Sequence, residues 1–162
     1  LKWFNKSVEF SESQIPNKDG LIIANPNGYT SAYLLFAYDL YTVLNKNINI
    51  DSLIQRLKNR IQFQGARYEL FCLAACIRGG FNVVLENEKE SDKRHVEFKI
   101  TDTETNITYS IEAKSKHRSG ILGQTGNIIP EDKVRVGKMT QLINDAVTKD
   151  DKHPLIIFLE FN

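Results

Sequence analysis

Three acids and one lysine stand out by type and spacing: Glu69, Glu97 and the pair Glu112/Lys114. Facing carboxylates offer the oxygen ligands that a hard divalent cation prefers. A lysine two residues along a strand shares the acid's face, where its ammonium can steady developing negative charge. The stretch Val96–Lys114 (VEFKITDTETNITYSIEAK) sets up that meeting. Its two alternating runs, joined by a polar turn around Thr103–Asn106, read as a β-hairpin. Val96, Phe98 and Ile100 fall on one face of the first run, and Tyr109, Ile111 and Ala113 on one face of the second. Stacking those faces predicts Phe98 opposite Ile111, and hence Glu97 opposite Glu112. Like charges at directly opposed positions, with Cβ atoms roughly 5 Å apart, repel each other. A cation between them would remove the repulsion.

Glu69 falls in the middle of the apolar arc of a helix expected over 66–78, among Ala66, Cys72, Leu73 and Cys76, while Arg67 and Arg78 lie on the far side. A carboxylate turned toward a core needs a partner. A structural salt bridge and a place in a polar site beside the sheet both meet that need.

Acid-x-Lys also occurs at Glu97-Phe98-Lys99, Glu131-Asp132-Lys133 and Asp150-Asp151-Lys152. Only Glu112/Lys114 combines a facing acid on the preceding strand, a helix carboxylate upstream and a basic loop directly after it. In that loop Lys116 and Arg118 are candidate phosphate contacts, and Lys138, with Arg135 and Gln141, extends the basic surface along the next helix. For each of these alone, a solvated side chain is the competing reading. His95 and His117 have no triad-like partners, and neither a nucleophile elbow nor a glycine-rich nucleotide loop is present.

The elements that must position these residues follow from periodicity and breakers. Residues 1–20 read as irregular, with Trp3, Phe4, Val8 and Phe10 in a loose strand. Leu21–Ala24 reads as a short strand closed by Asn25-Pro26-Asn27-Gly28. A helix capped by Thr30 or Ser31 runs from Ala32 to about Leu44, apolar nearly all round and so expected in the interior or at an interface. A second helix is expected from Asp51 or Ser52 to about Gln64, broken by Gly65, and a third from Ala66 to Arg78, ended by Gly79-Gly80. Phe81–Leu85 reads as a strand, Glu86–Lys93 as a charged loop, and 115–129 as a long connection of the kind that is usually functional. The fourth helix spans Glu131–Lys149 with Val136, Met139, Ile143, Ala146 and Val147 as its core stripe. Leu155–Leu159 is a continuous apolar run, expected as a fully buried central strand.

The 162 residues, 41% apolar and 25% charged, suit one globular domain with an extension. A net charge of +1 excludes a strongly basic nucleic-acid-coating domain but not a local basic surface. Cys72 and Cys76, one helical turn apart in an apolar stretch, read as buried thiols rather than as a disulfide or zinc set. No run approaches a membrane span, and no signal pattern opens the chain, so a cytoplasmic protein without a membrane partner is expected.

With these residues in place, the chain resembles the PD-(D/E)xK nuclease superfamily, the restriction endonuclease-like fold. The resemblance covers Gly65 to Phe161 and rests on RYELFCLAACIRGGFNVV with Glu69, on VEFKI, on SIEAK, and on the helix and apolar strand that follow. It implies an α/β protein with an αβββαβ core over residues 65–162, a mixed central sheet flanked by helices. Residues 1–64 then form a mainly helical extension for homodimerisation or target recognition. It also implies that Glu97 is the first motif acid, with Asp92 as the fallback, that Glu112 and Lys114 form the second motif, and that Glu69 is the helix glutamate of many members. The first acid of the family is usually Asp after Pro; here it is Glu after Val. The expected function is Mg²⁺-dependent hydrolysis of phosphodiester bonds in DNA, with Mn²⁺ as a substitute. Glu97, Glu112 and Glu69 would be the metal ligands. The competing expectations are a catalytically silent module on the same fold that binds nucleic acid or a protein, and a nuclease directed at RNA.

Overall fold

The computed structural model describes residues 2–86, 95–115, 137–149 and 152–160. They form an α/β arrangement of five helices and a four-stranded mixed sheet. The helices are α1 (Lys2–Glu12), α2 (Gly28–Leu44), α3 (Asp51–Lys58), α4 (Phe63–Arg78) and α5 (Gly137–Val147). The strands are β1 (Asn82–Leu85), β2 (Phe98–Thr101), β3 (Thr108–Ser115) and β4 (Leu155–Glu160), adjacent in the order β1-β2-β3-β4. The first two pairings are antiparallel, and β3 pairs β4 in parallel, as a crossover through α5 requires. From residue 63 the described elements therefore run α-β-β-β-α-β. The chain divides into two compact units, 1–41 and 42–162.

In the smaller unit the expected strands are absent. Trp3, Phe4, Val8 and Phe10 lie on α1, where Phe4 and Val8 are one turn apart and Phe4 meets Tyr33 edge to face at 5.4 Å. Residues 21–24 belong to no helix or strand, and Leu21, Ile22 and Ile23 are exposed. The helix expected from Ala32 begins four residues earlier. Asn27, not Thr30 or Ser31, caps it, through Oδ1 accepting the Thr30 amide at 2.9 Å. Pro26 ahead of the cap fits a chain that cannot yet be helical. Leu34, Leu35, Tyr38, Tyr41 and Leu44 are exposed, whereas Asp39 is buried, so α2 is less covered than its composition suggests.

In the larger unit the break falls at Asn59, not at Gly65. Asn59 is extended, with ψ 120°, and its side chain accepts the Ile61 amide at 2.9 Å. This ends α3 and lets α4 start at Phe63 with Gly65 inside it. The expected stop at Gly79-Gly80 is met in full. The amide of Gly80, at φ +86°, donates to Ile77, and the Phe81 amide donates to Cys76, so the last carbonyls of α4 are satisfied.

The hairpin has the expected register, Phe98 opposite Ile111 and Ile100 opposite Tyr109. Its turn is held by Asp102, whose Oδ1 accepts the amides of Glu104 and Thr105, and by Asn106 at φ +56°. Both faces of β3 are covered: Ile111 on one side and Ser110 and Glu112 on the other have no exposed surface. Gln64 and Arg67 of α4 reach Ser115 and Glu160, which share the Ile111 side by alternation, while Lys149, just past α5, reaches Glu112 on the other. The core comprises Leu70, Leu73, Cys72 and Ala74 of α4 against Phe98, Ile100 and Ile111. Two expectations fail here. β4 is half-buried and lies at the edge of the described sheet, and Val147 is exposed while Ala146 carries the packing of α5.

Candidate functional site

Glu112 is held on β3 with its side chain fully enclosed, and its two oxygens face cations. The Nζ of Lys149 lies 2.7 Å from both Oε1 and Oε2, and Lys114 pairs with Oε1 along the same strand face. A buried carboxylate needs such partners, because an uncompensated one costs several kcal/mol, on the order of 3–5. Lys149 reaches it because α5 ends at Val147 and a short turn follows, with the Lys149 amide bonded to Ala146.

Glu69 sits on the buried arc of α4, 5% exposed. Arg56 of α3 grips it in a two-pronged pair, Nη1 to Oε2 at 2.7 Å and Nη2 to Oε1 at 2.8 Å. The salt-bridge expectation for Glu69 thus describes its oxygens, and the partner is a residue that the α3 periodicity puts off the apolar stripe.

Glu97 lies just before β2. Its amide donates to the carbonyl of Ile111, the residue that Phe98 already opposes, so two residues of one strand face one of the other. That is the arrangement of a β-bulge, which re-aims a side chain out of strict alternation. Burial pushes the Glu97 carboxyl up to about 7, and the charges of Glu69 and then Glu112 add to the shift against the opposing pull of Lys149 and Arg56. Glu69, Glu97 and Glu112 thus share one electrostatic neighbourhood although they come from α4, the entry to β2 and β3. As they stand, no three His, Cys, Asp or Glu side chains among the described residues form a ready metal-binding group. The donor chemistry nevertheless fits a hard cation: three carboxylates, two of them already holding positive charge.

Lys99, across the hairpin from this cluster, pairs with Glu86 at 2.8 Å, and His95 lies 3.8 Å from the same carboxylate. At the C-terminal ends of β3 and β4 a polar chain runs from Gln64 Nε2 to Ser115 Oγ at 3.2 Å, from Ser115 to Glu160, and from Glu160 to Arg67. It ties α4, which carries Glu69, to β3, which carries Glu112. Cys72 and Cys76 are free and buried, and burial raises their thiols to about 12 and 11, so they act as small apolar residues.

Lys116, Arg118, His117, Arg135 and Asp92 lie outside the described residues, as does the side chain of Lys138 on α5. The residues that sequence reasoning missed are Arg56, Lys149, Glu86, Arg67 and Glu160. Each pairs with an acid or base distant in the chain, so local periodicity carries no signal for it. Lys149 in particular reads as an ordinary basic residue at a helix C-terminus. Comparison with protein-family models, with curated proteins and with solved structures finds no match for this chain.

Proposed function

We propose that this chain is a metal-dependent hydrolase of phosphodiester bonds in DNA, built on the restriction endonuclease-like plan. Glu97, Glu112 and Glu69 would hold Mg²⁺ or Mn²⁺, and Lys114 would contact the reacting phosphate. The observation that supports it is the half-buried Glu97, re-aimed by a bulge and raised toward neutrality by burial first and then by the charges of two further acids from separate elements. A divalent cation in this place supplies Lewis acidity toward a phosphoryl oxygen and an attacking water. The chain's own groups do the rest. Lys114, 19% exposed, keeps its ammonium at the Glu112 oxygen and at the accessible side of the cluster, where it can pair with a phosphate oxygen. Arg56 fixes the orientation of Glu69, and the bulge fixes that of Glu97.

The experiment is a cleavage panel of double-stranded DNA, single-stranded DNA and RNA with Mg²⁺ and with Mn²⁺. DNA cleavage is expected, falling at least ~100-fold in Lys114→Met and Glu112→Gln, as loss of one charge-stabilising group does. Unchanged cleavage by both variants would overturn the proposal, and preferential RNA cleavage would redirect it. A second reading, a catalytically silent binding module, is favoured by one observation: both oxygens of Glu69 and of Glu112 are already bonded by cationic side chains. In that case the acids serve as internal ion pairs, and calorimetric titration with Mn²⁺ gives no site.

A further inference from the structure

Lys149 bonds both oxygens of Glu112 at 2.7 Å, inside a site where the carboxylate has no contact with solvent and the lysine side chain is 16% exposed. An ammonium centred on a carboxylate takes up the same lone pairs that a cation bound in two-pronged fashion would use. We infer that Lys149 is a built-in counter-cation that holds the Glu112 carboxylate in place of a divalent ion and must swing away for the ion to bind. This rests on the proposed metal role of Glu112.

Three features of the site support it. Oε1 of Glu112 is shared by Lys114 and Lys149, two like charges on one atom, so one of them can leave with part of its cost offset by relief of their repulsion. Lys114 is anchored within β3 beside its acid, whereas Lys149 follows the last helical residue of α5, in a turn closed by amide bonds to Asn144 and Ala146. Of the two, Lys149 is therefore the one assigned to leave. Finally, its positive charge also reaches Glu97, so its departure would leave two acids under-compensated at once, which is what a divalent charge would restore. The device keeps the Glu112 carboxylate paired and the core intact without metal, and weakens metal affinity by the work of breaking the pair.

The test is calorimetric titration of the full chain with Mn²⁺ alone, for wild type, Lys149→Met, Lys149→Gln and Glu112→Gln, with thermal melts with and without Mn²⁺. Lys149→Met keeps the side-chain length without the charge, and Lys149→Gln keeps a donor should the first variant fold poorly. The inference expects at least tenfold tighter Mn²⁺ binding in a folded Lys149 variant than in wild type, a larger Mn²⁺-induced rise in melting temperature, and no site in Glu112→Gln. Wild-type binding that is lost in Glu112→Gln but not tightened by either Lys149 variant overturns the inference and leaves the metal role of Glu112 standing. Binding retained in Glu112→Gln, or absent from wild type and both Lys149 variants, overturns the metal reading and the inference with it.

Discussion

Glu97 is the residue on which the site's electrostatics turn. Its carboxyl has an ordinary value of 4.5 and is raised to about 7 in the fold, so the folded state binds its proton more tightly than the unfolded chain does. The contribution to stability is present in full below the ordinary value and is lost as pH rises through the raised one. Wild type should therefore lose melting temperature between about pH 5 and 7, through this group, relative to Glu97→Gln, which carries no titrating proton. Melts of both proteins across that range check it; parallel curves would show that Glu97 is not held as described. The first acid was also where the sequence was least explicit. Alternation predicts it opposite Glu112, but its amide shares the Ile111 carbonyl in a bulge instead, and that bulge leaves no mark in residue types.

At the scale of elements, what was legible depended on how local the cause was. The stop of α4 is written in two glycines, and the hairpin register in the alternation of Phe98, Ile100, Tyr109 and Ile111. The cap of α2 at Asn27 and the break at Asn59 were not, because asparagine acts there through its side chain on amides two or three residues away, while Gly65 and Thr30 look like stronger punctuation. β4 misled for a different reason. An apolar run marks burial on both faces only when a packed layer covers each face, and β4, at the edge of the described sheet, is only half-buried. The glycine stop yields its own prediction. A Cβ at Gly80 would meet nothing within 4 Å, so Gly80→Ala tests the left-handed backbone alone. It should cost about 1 kcal/mol in urea unfolding, with the slope unchanged.

At the scale of the molecule, burial is uneven. Leu70, Leu73, Phe98 and Ile111 are sealed, whereas Ile15, Leu21 and Ile23 between α1 and α2 are largely exposed. Among the described residues, amide hydrogen exchange should be slow in α4, β2 and β3 and fast over residues 13–27, since opening there breaks few buried contacts. Equal protection in the two regions would contradict the packing. Among the described residues no helix is long and apolar enough to cross a membrane. The ion pairs at the centre, Arg56–Glu69 and Lys149–Glu112, link residues 13 and 37 apart in sequence. Such partners are set by topology, which is why the acids were legible and their cations were not.

The two sealed faces of β3 have a consequence for how the hairpin finds its pairing. Ile111 and Glu112 are neighbours in the chain and equally enclosed, one among aliphatic side chains and the other among lysines. A slip of the strand by a single position would exchange them, sending a carboxylate into the hydrocarbon layer and a bare isoleucine among ammonium groups. Misaligned pairings are therefore penalised on both sides at once. The ion pairs on Glu112 thus double as a proofreading mark for assembly.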